Sequence, residues 1–341
     1  MTTTIGYDVG GAHLKIARLE NGRPVAVRQI VCPLWQGLDK LDAALAEAVP
    51  GAKGADRVAV TMTGELSDLF PDRATGVATL VDRLSAAHGP ATRFWMGRLG
   101  FGDAAAAKAS FLDVAATNFL ATAEAAGGKR GDALLVDLGS TTTDIIPIRA
   151  GHAAPRGLTD YDRLASGELV YTGLTRTALM AIAPAASFKG RRQRLAREYL
   201  ATAADARRVV GQLPEGVDQH ATADGRGTSV EESAARLARM FCRDMADGTL
   251  ADWRESARDI LEQQIAAILD GVAQVLARSP LAADAPVIAA GIGADVAADI
   301  ARRIGRTSVS FGDLTGASPE VALWATRCAP AVAVAMLSDR D

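Results

Sequence analysis

Two short strings hold the residues best suited to chemistry: Asp8-Val9-Gly10-Gly11 and Asp137-Leu138-Gly139-Ser140-Thr141-Thr142-Thr143-Asp144. In each, an apolar, strand-like run delivers a carboxylate to a turn whose glycines let backbone N–H groups approach an anion closely. The second string adds four consecutive hydroxyls that can donate to phosphate oxygens, framed by Asp137 and Asp144, which could hold a hydrated Mg²⁺. One Asp-x-Gly turn is common in any protein. Two in one chain point to a phosphate-bearing ligand, with Gly10, Gly11, Gly139, Ser140, Thr141 and Thr142 as the phosphate-contacting residues.

Lys15, at the far end of the first unit, is the obvious cation for a phosphate oxygen, and a solvated strand lysine is the bland alternative. His13 faces the other way by strand alternation and reads as structural. Thr63-Gly64-Glu65-Leu66-Ser67-Asp68 follows a short strand, so its polar groups sit at a strand's carboxyl end, where open α/β sheets bind ligands. A helix start capped by Thr63 or Ser67 fits that string equally well, but Glu65 or Asp68 there could take a proton from an attacking hydroxyl. Asn118 lies in a small, apolar helical stretch where a bare amide needs a partner. The segment Tyr161–Gly173, which contains Glu168 and Tyr171, has the polar, glycine and tyrosine density of a substrate loop. Lys189, Arg191, Arg192, Arg194 and Arg197 read first as a solvated helix face.

The elements that must position these groups follow a repeat. Ile5–Asp8, His13–Leu19 and Arg23–Val31 are predicted strands, the last two joined at Asn21-Gly22, a strong hairpin signal. After the polar break Gly127–Gly131 the pattern restarts. Leu134–Ser140 aligns without a gap on Ile5–Gly11, Asp144 falls opposite Lys15, and a second glycine turn follows at Gly151. A duplicated β-turn-β unit of this kind changes the fold expected of the chain. Ser166–Arg278 reads as mainly helical, Pro286–Ala290 and Thr307–Phe311 as strands, and Ser318–Leu337 as one final apolar helix returning to the first half.

At 341 residues the chain has the length of about two domains. With 49% apolar and 23% charged residues it is an ordinary globular composition. A net charge of -3 offers no global attraction to nucleic acid or to anionic lipid, so phosphate affinity must be local and the ligand small. Cys32, Cys242 and Cys328 lie far apart and form no metal-site spacing, which fits a reducing cytoplasm. No secretory leader is visible, and apolar stretches such as Ala329–Leu337 are too short to span a bilayer.

Together the two turns resemble the paired phosphate loops of the superfamily that contains actin, sugar kinases and heat-shock chaperones. The resemblance implies an α/β, duplicated ribonuclease H-like/actin-like fold, with two domains around a central phosphate-binding cleft: residues 1–128 plus 318–341, and residues 129–317. Gly6–Lys15, Thr63–Phe70, Leu135–Pro147, Asp162–Thr177 and Pro286–Asp295 are similar to the hydantoinase A/oxoprolinase-like branch, and within it to the ether-forming synthases of methanofuran biosynthesis. That likeness implies condensation of an aminomethyl-furanylmethyl diphosphate with a phenolic amine such as γ-glutamyltyramine, releasing diphosphate. It also implies roles for Lys15, Glu65 and Asp144 in catalysis, for Asn118, Glu168 and Tyr171 at the substrate, and for Asp8, Asp137 and Asp144 around Mg²⁺. Ala289-Ala290-Gly291-Ile292-Gly293 departs from the adjacent glycines of the kinases' adenosine motif, so ATP is not expected. An ATP-dependent kinase or lactam-opening enzyme is the alternative reading, and a non-catalytic ATPase switch acting on a protein partner is a third. Neither nucleic acid nor membrane is an expected partner, and a homo-oligomer is left open.

Overall fold

A computed structural model of the chain describes residues 2–339. The first sheet begins with the predicted meander: β1 (Thr3–Val9), β2 (His13–Glu20) and β3 (Arg23–Val31). Asn21 and Gly22 take φ of 50° and 77°, the positive values a two-residue hairpin of this hand requires. β4 (Arg57–Met62), β5 (Thr92–Trp95) and β6 (Phe101–Gly102) complete the order β3-β2-β1-β4-β5-β6, with β4 parallel to β1.

The second sheet repeats the plan. β7 (Ala133–Leu138) pairs antiparallel with β8 (Thr143–Arg149), and β9 (His152–Ala153) and β10 (Leu169–Val170) both pair with β8. Across a β11 (Ala185–Phe188) and β12 (Arg191–Arg194) hairpin the chain reaches β13 (Val287–Ala290) and β14 (Ser308–Ser310), which extend the sheet in parallel beyond β7. The correspondence extends to single bonds. Gly10 N–H donates to the His13 carbonyl at 3.0 Å and Gly139 N–H to the Thr142 carbonyl at 2.9 Å. Thr63 N–H, after β4, donates to the Val9 carbonyl at 2.9 Å, just as Gly293 N–H, after β13, donates to the Leu138 carbonyl at 2.9 Å. This is the duplicated ribonuclease H-like/actin-like arrangement.

Between the sheets lie two helices, Asn118–Arg130 and Ala329–Ser338, in one apolar core with Ala17, Leu19 and Ala59 on one side and Leu135, Ile146 and Ile148 on the other. Contact is backbone-close: a Cβ on Gly6 of β1 would sit 1.9 Å from the Ala331 carbonyl oxygen, and one on Gly127 would sit 2.4 Å from that of Gly151. Small residues at these points let helix and strand meet without a side chain between them.

Two expectations need correction. The last helix is not continuous: Pro319–Arg327 and Ala329–Ser338 meet at a 103° bend at Cys328, because Pro330 has no N–H to continue the first helix and fits the opening turn of the second. The arginine-rich run is not a helix face: Lys189 to Arg194 form the turn and second strand of the β11–β12 hairpin, whose turn residues Lys189 and Gly190 have φ of 47° and 72°, and Arg197 follows it outside any helix. That hairpin packs with Thr202-capped and Ser229-capped helices on the 29-residue helix Leu250–Arg278. The long helix is apolar and long enough to cross a bilayer by composition, but Trp253, Ile260 and Leu261 bury into this lobe and Ile268 and Val272 into the second sheet.

Candidate active site

Because both sheets send the carboxyl ends of β1 and β7 toward each other, the two turns line one cleft of ≈ 530 Å³. Asp8, Gly10, Gly11 and Lys15 come from the first half, and Asp137, Gly139, Ser140, Thr141, Thr142 and Asp144 from the second. Asn118 and Tyr171 also line it. Asn118 is not inside a helix but opens one, its Oδ1 accepting the Phe119 N–H at 2.8 Å. Tyr171 is largely exposed at the rim.

Charge is arranged in pairs within each half, not across the cleft between Lys15 and Asp144. Register places Lys15 opposite Asp8, and its Nζ reaches Asp8 Oδ2 at 3.1 Å. Burial pulls the ammonium's pKa down, but the Asp8 carboxylate outweighs it and holds Lys15 charged, above its usual range. Asp144, opposite Asp137 in the second hairpin, instead receives the Arg163 guanidinium. Arg163 is itself buried, stacks 3.8 Å over the Phe119 ring and bonds Asp160 at 2.7 Å. Asp137 makes no ion pair among the described residues, and burial together with the Asp144 charge pushes its pKa up to about 7.

Asp8, Asp137 and Asp144 all line the cleft, where a hydrated Mg²⁺ would be shared between carboxylates and the phosphates of a ligand. Among the described residues no three His, Cys, Asp or Glu side chains converge on a metal position, and two of these carboxylates are already neutralised by their own cations. The donor set does not fit a metal held by the protein alone.

Glu65 sits behind the wall of the cleft in a single 3-10 turn, Gly64–Leu66, while its neighbours Thr63, Ser67 and Asp68 line the surface. It is 1% exposed and neither carboxylate oxygen has a hydrogen-bond partner. The N–H groups of Glu65 and Ala116 face it without bonding geometry, and burial pushes its pKa up to about 7. Helix Arg73–His88 makes room with Gly76, where a Cβ would come within 2.9 Å of Glu65 Cβ. A buried, unsatisfied carboxyl with a raised pKa beside a cleft is a candidate for proton transfer.

Glu168 is placed elsewhere. Its buried carboxylate accepts the N–H groups of Arg156 (2.7 Å) and Gly157 (3.1 Å) and the Ser166 hydroxyl (2.9 Å), which gives it a loop-holding part instead of a place against substrate. Gly291 and Gly293 are likewise accounted for by packing. A Cβ on Gly291 (φ 81°) would lie 2.3 Å from the Leu138 carbonyl oxygen, and one on Gly293 would lie 2.2 Å from Leu138 Cδ2.

Sequence reasoning missed Trp35, Arg176 and Arg327. Arg176 Nη1 donates to Thr141 Oγ1 at 3.4 Å and its guanidinium lies over the Trp35 ring at 4.7 Å, joining the two halves. Arg327 stacks on Trp324 at 4.9 Å. Trp35 and Arg327 lie in none of the strings singled out, Arg176 lies within Asp162–Thr177 without being singled out, and the Arg176–Trp35 contact forms only when the fold brings distant loops together. His13 is buried, and desolvation, then His220, Lys15 and Arg176, push its pKa far down, so it is a neutral imidazole.

The hydantoinase/oxoprolinase family model matches residues 56–338. A (4-{4-[2-(gamma-L-glutamylamino)ethyl]phenoxymethyl}furan-2-yl)methanamine synthase from Methanocaldococcus jannaschii is 33% identical over 274 residues, covering 79% of this chain and 82% of that protein. An enzyme of the same name from Methanococcus vannielii is 38% identical over 112 residues, covering 33% of this chain and 50% of that protein. Among solved structures, Acidaminococcus fermentans (R)-2-hydroxyglutaryl-CoA dehydratase component A superposes with a TM-score of 0.49 at 11% identity, covering 100% of this chain and 98% of that one. A ROK family glucokinase from Streptomyces griseus gives 0.47 at 16% identity, covering 99% and 100%.

Proposed function

Because the chain belongs to the hydantoinase/oxoprolinase family, and two equivalent anion-seeking turns share its cleft, we propose that it is a transferase that joins an aminomethyl-furanylmethyl diphosphate to the phenol of a tyramine or tyrosine derivative and releases diphosphate. The single observation that carries the reading is this pair of turns: the backbone at Gly10, Gly11 and Gly139, hydroxyls at Ser140 to Thr142 and the Lys15 ammonium surround a space sized for a small phosphorylated molecule, with the Gly10 and Gly139 N–H groups closing the turns themselves. The names of the curated relatives describe a phenoxymethyl-furan ether, which is the bond such a reaction makes.

The C–O bond between the furanylmethyl carbon and the diphosphate breaks, and its electron pair leaves with the diphosphate. The furan ring spreads the positive charge left on carbon, the phenol oxygen forms the new C–O bond, and the phenolic proton goes to a carboxylate, which we propose to be Glu65, reached by way of the Thr63–Asp68 turn that lines the cleft. Catalysis then consists of holding the leaving group in fixed dipoles and positioning the acceptor. Lys15, held by Asp8, donates its remaining N–H hydrogens to the departing oxygens, and Arg163 holds Asp144 in the second hairpin. Asn118 and Tyr171 flank the acceptor. In this reading the proposed domains, residues 1–128 with 318–341 and residues 129–317, close on the ligands, and the reaction is proposed to run in the cytoplasm. No step runs through magnesium or ATP.

The test is incubation of the furan diphosphate with γ-glutamyltyramine, with and without ATP, followed by mass spectrometry. An ether and an equal amount of diphosphate without ATP support the reading. A phosphorylated product formed only with ATP refutes it in favour of a kinase.

A further inference from the structure

A second cavity of ≈ 360 Å³ adjoins the cleft, with Trp35 and Arg176 belonging to the walls of both. Two groups on its wall lack hydrogen-bond partners and a third lacks a counter-charge. Arg176 makes no ion pair among the described residues, and its contacts are the weak bond to Thr141 and the face of Trp35. Thr175 is 2% exposed and its Oγ1 has no hydrogen-bond partner. His220 Nε2 is buried and equally unpartnered, its ring held between His13 (4.5 Å) and Trp35 (5.9 Å).

The acids on the same wall do not balance this. Asp205 bonds Arg208 and Arg236, Asp218 bonds Arg208, and Arg236 also reaches Asp224, so these acids turn to their own arginines and none pairs with Arg176. What remains is one half-buried guanidinium, one hidden hydroxyl and one imidazole kept neutral by burial, its pKa pushed down to about 4. Burial also depresses the pKa of Arg176, the sign of a cation drawn out of water without a counter-charge. Unpaired cations and unsatisfied donors in such a place are costly until an anion completes them. A diphosphate is served by the hydroxyls of Ser140 to Thr142 and the Lys15 ammonium of the main cleft. A single planar fork beside Trp35 and Tyr199 suits a carboxylate on an organic tail.

We propose that this chamber is a second binding site, which takes the tail of the phenolic acceptor by its carboxylate, with Arg176 as the fork and Thr175 and His220 as donors. The proposal rests on the acceptor reading above and narrows it: the acceptor is a phenol whose far end carries an acid, and its ring lies toward the cleft.

Titration calorimetry on the full chain tests this without turnover, using γ-glutamyltyramine, its methyl ester and inorganic diphosphate as probes. Wild type is expected to bind the acid about 10–100-fold more tightly than the ester, the worth of a charge-assisted pair. Arg176→Met should abolish that preference and Thr175→Val should reduce it, with diphosphate affinity changed less than about threefold and melting curves showing both variants folded. Equal binding of acid and ester by wild type, no binding of either, or a preference that survives Arg176→Met overturns the proposal. So does a loss confined to diphosphate, which would place Arg176 in the leaving-group site. Should the acid be preferred through Arg176 while no ether forms in the turnover assay, the chamber stands and the proposed reaction falls.

Discussion

Glu65→Gln separates a buried proton acceptor from an ordinary structural acid. In the folded protein the carboxyl is moved from its ordinary value of 4.5 to about 7, chiefly by burial. The folded state therefore holds this proton more tightly than the unfolded chain does, so stability is greatest below about pH 4.5, declines as pH rises toward 7, and levels off above. A tenfold change in proton affinity is worth about 1.4 kcal/mol, which puts the cost of the ionised Glu65 at about 3 kcal/mol at pH 8 and under about 1 kcal/mol at pH 5. Glutamine keeps the shape and cannot ionise. Urea unfolding at the two pH values should find the variant more stable than wild type by about 3 kcal/mol at pH 8 and nearly equal to it at pH 5. Asp137, also raised to about 7, leaves part of the wild-type pH slope in the variant. Ether formation in wild type should climb as pH passes about 7, and Glu65→Gln should lose that limb and most of the rate. A variant destabilised by the same margin at both pH values would show that Glu65 is ionised and satisfied, and would refute the assignment.

Lys15→Met alone strands the buried Asp8 carboxylate and should cost about 3–5 kcal/mol of stability. The Asp8→Asn/Lys15→Met pair removes both charges, so it should melt near wild type in thermal denaturation yet lose about 10²–10³ in single-turnover rate. Inorganic diphosphate should stabilise wild type by about 2.7 kcal/mol at a hundredfold excess over its dissociation constant, and adenosine at equal concentration should shift the melting temperature less. Gly6→Ala, with its Cβ 1.9 Å from the Ala331 carbonyl oxygen, should fail to accumulate as folded protein on gel filtration, where a merely local change would leave a normal elution profile. Glu168→Ala should lower stability by about 1–3 kcal/mol by orphaning the Arg156 and Gly157 N–H groups, with the acceptor KM unchanged in the folded fraction.

Much of the fold is legible in the sequence. The duplication was readable because the second copy keeps the frame of the first, and the structure repeats it down to the Gly10–His13 and Gly139–Thr142 hydrogen bonds. Asn21-Gly22 announced its hairpin because only a few residue types accept its positive φ, while Ala150-Gly151 and Lys189-Gly190 make similar turns with half that signal. Lys189-Gly190 was hidden by its charged neighbours, which read as a helix face. The break at Cys328 was masked by unbroken apolar sequence, although Pro330 marked it. Partners were the least readable feature. Strand alternation could place Lys15 and Asp144 at equivalent positions, but it could not show that Asp8 and Arg163 neutralise them separately, because Arg163 arrives from a helix 19 residues further on. Arg176 and Trp35 meet only through the closure of the two halves.

The central claim is that carbon, not phosphorus, is the atom attacked. An ¹⁸O label in the bridging oxygen between the furanylmethyl carbon and the α-phosphorus follows that choice directly, read by mass spectrometry of both products after one turnover. The account predicts all of the label in the released diphosphate and an ether whose oxygen comes from the unlabelled phenol. Label retained on the furanylmethyl group, or a phosphorylated phenol, would mean that the P–O bond breaks, and would contradict it.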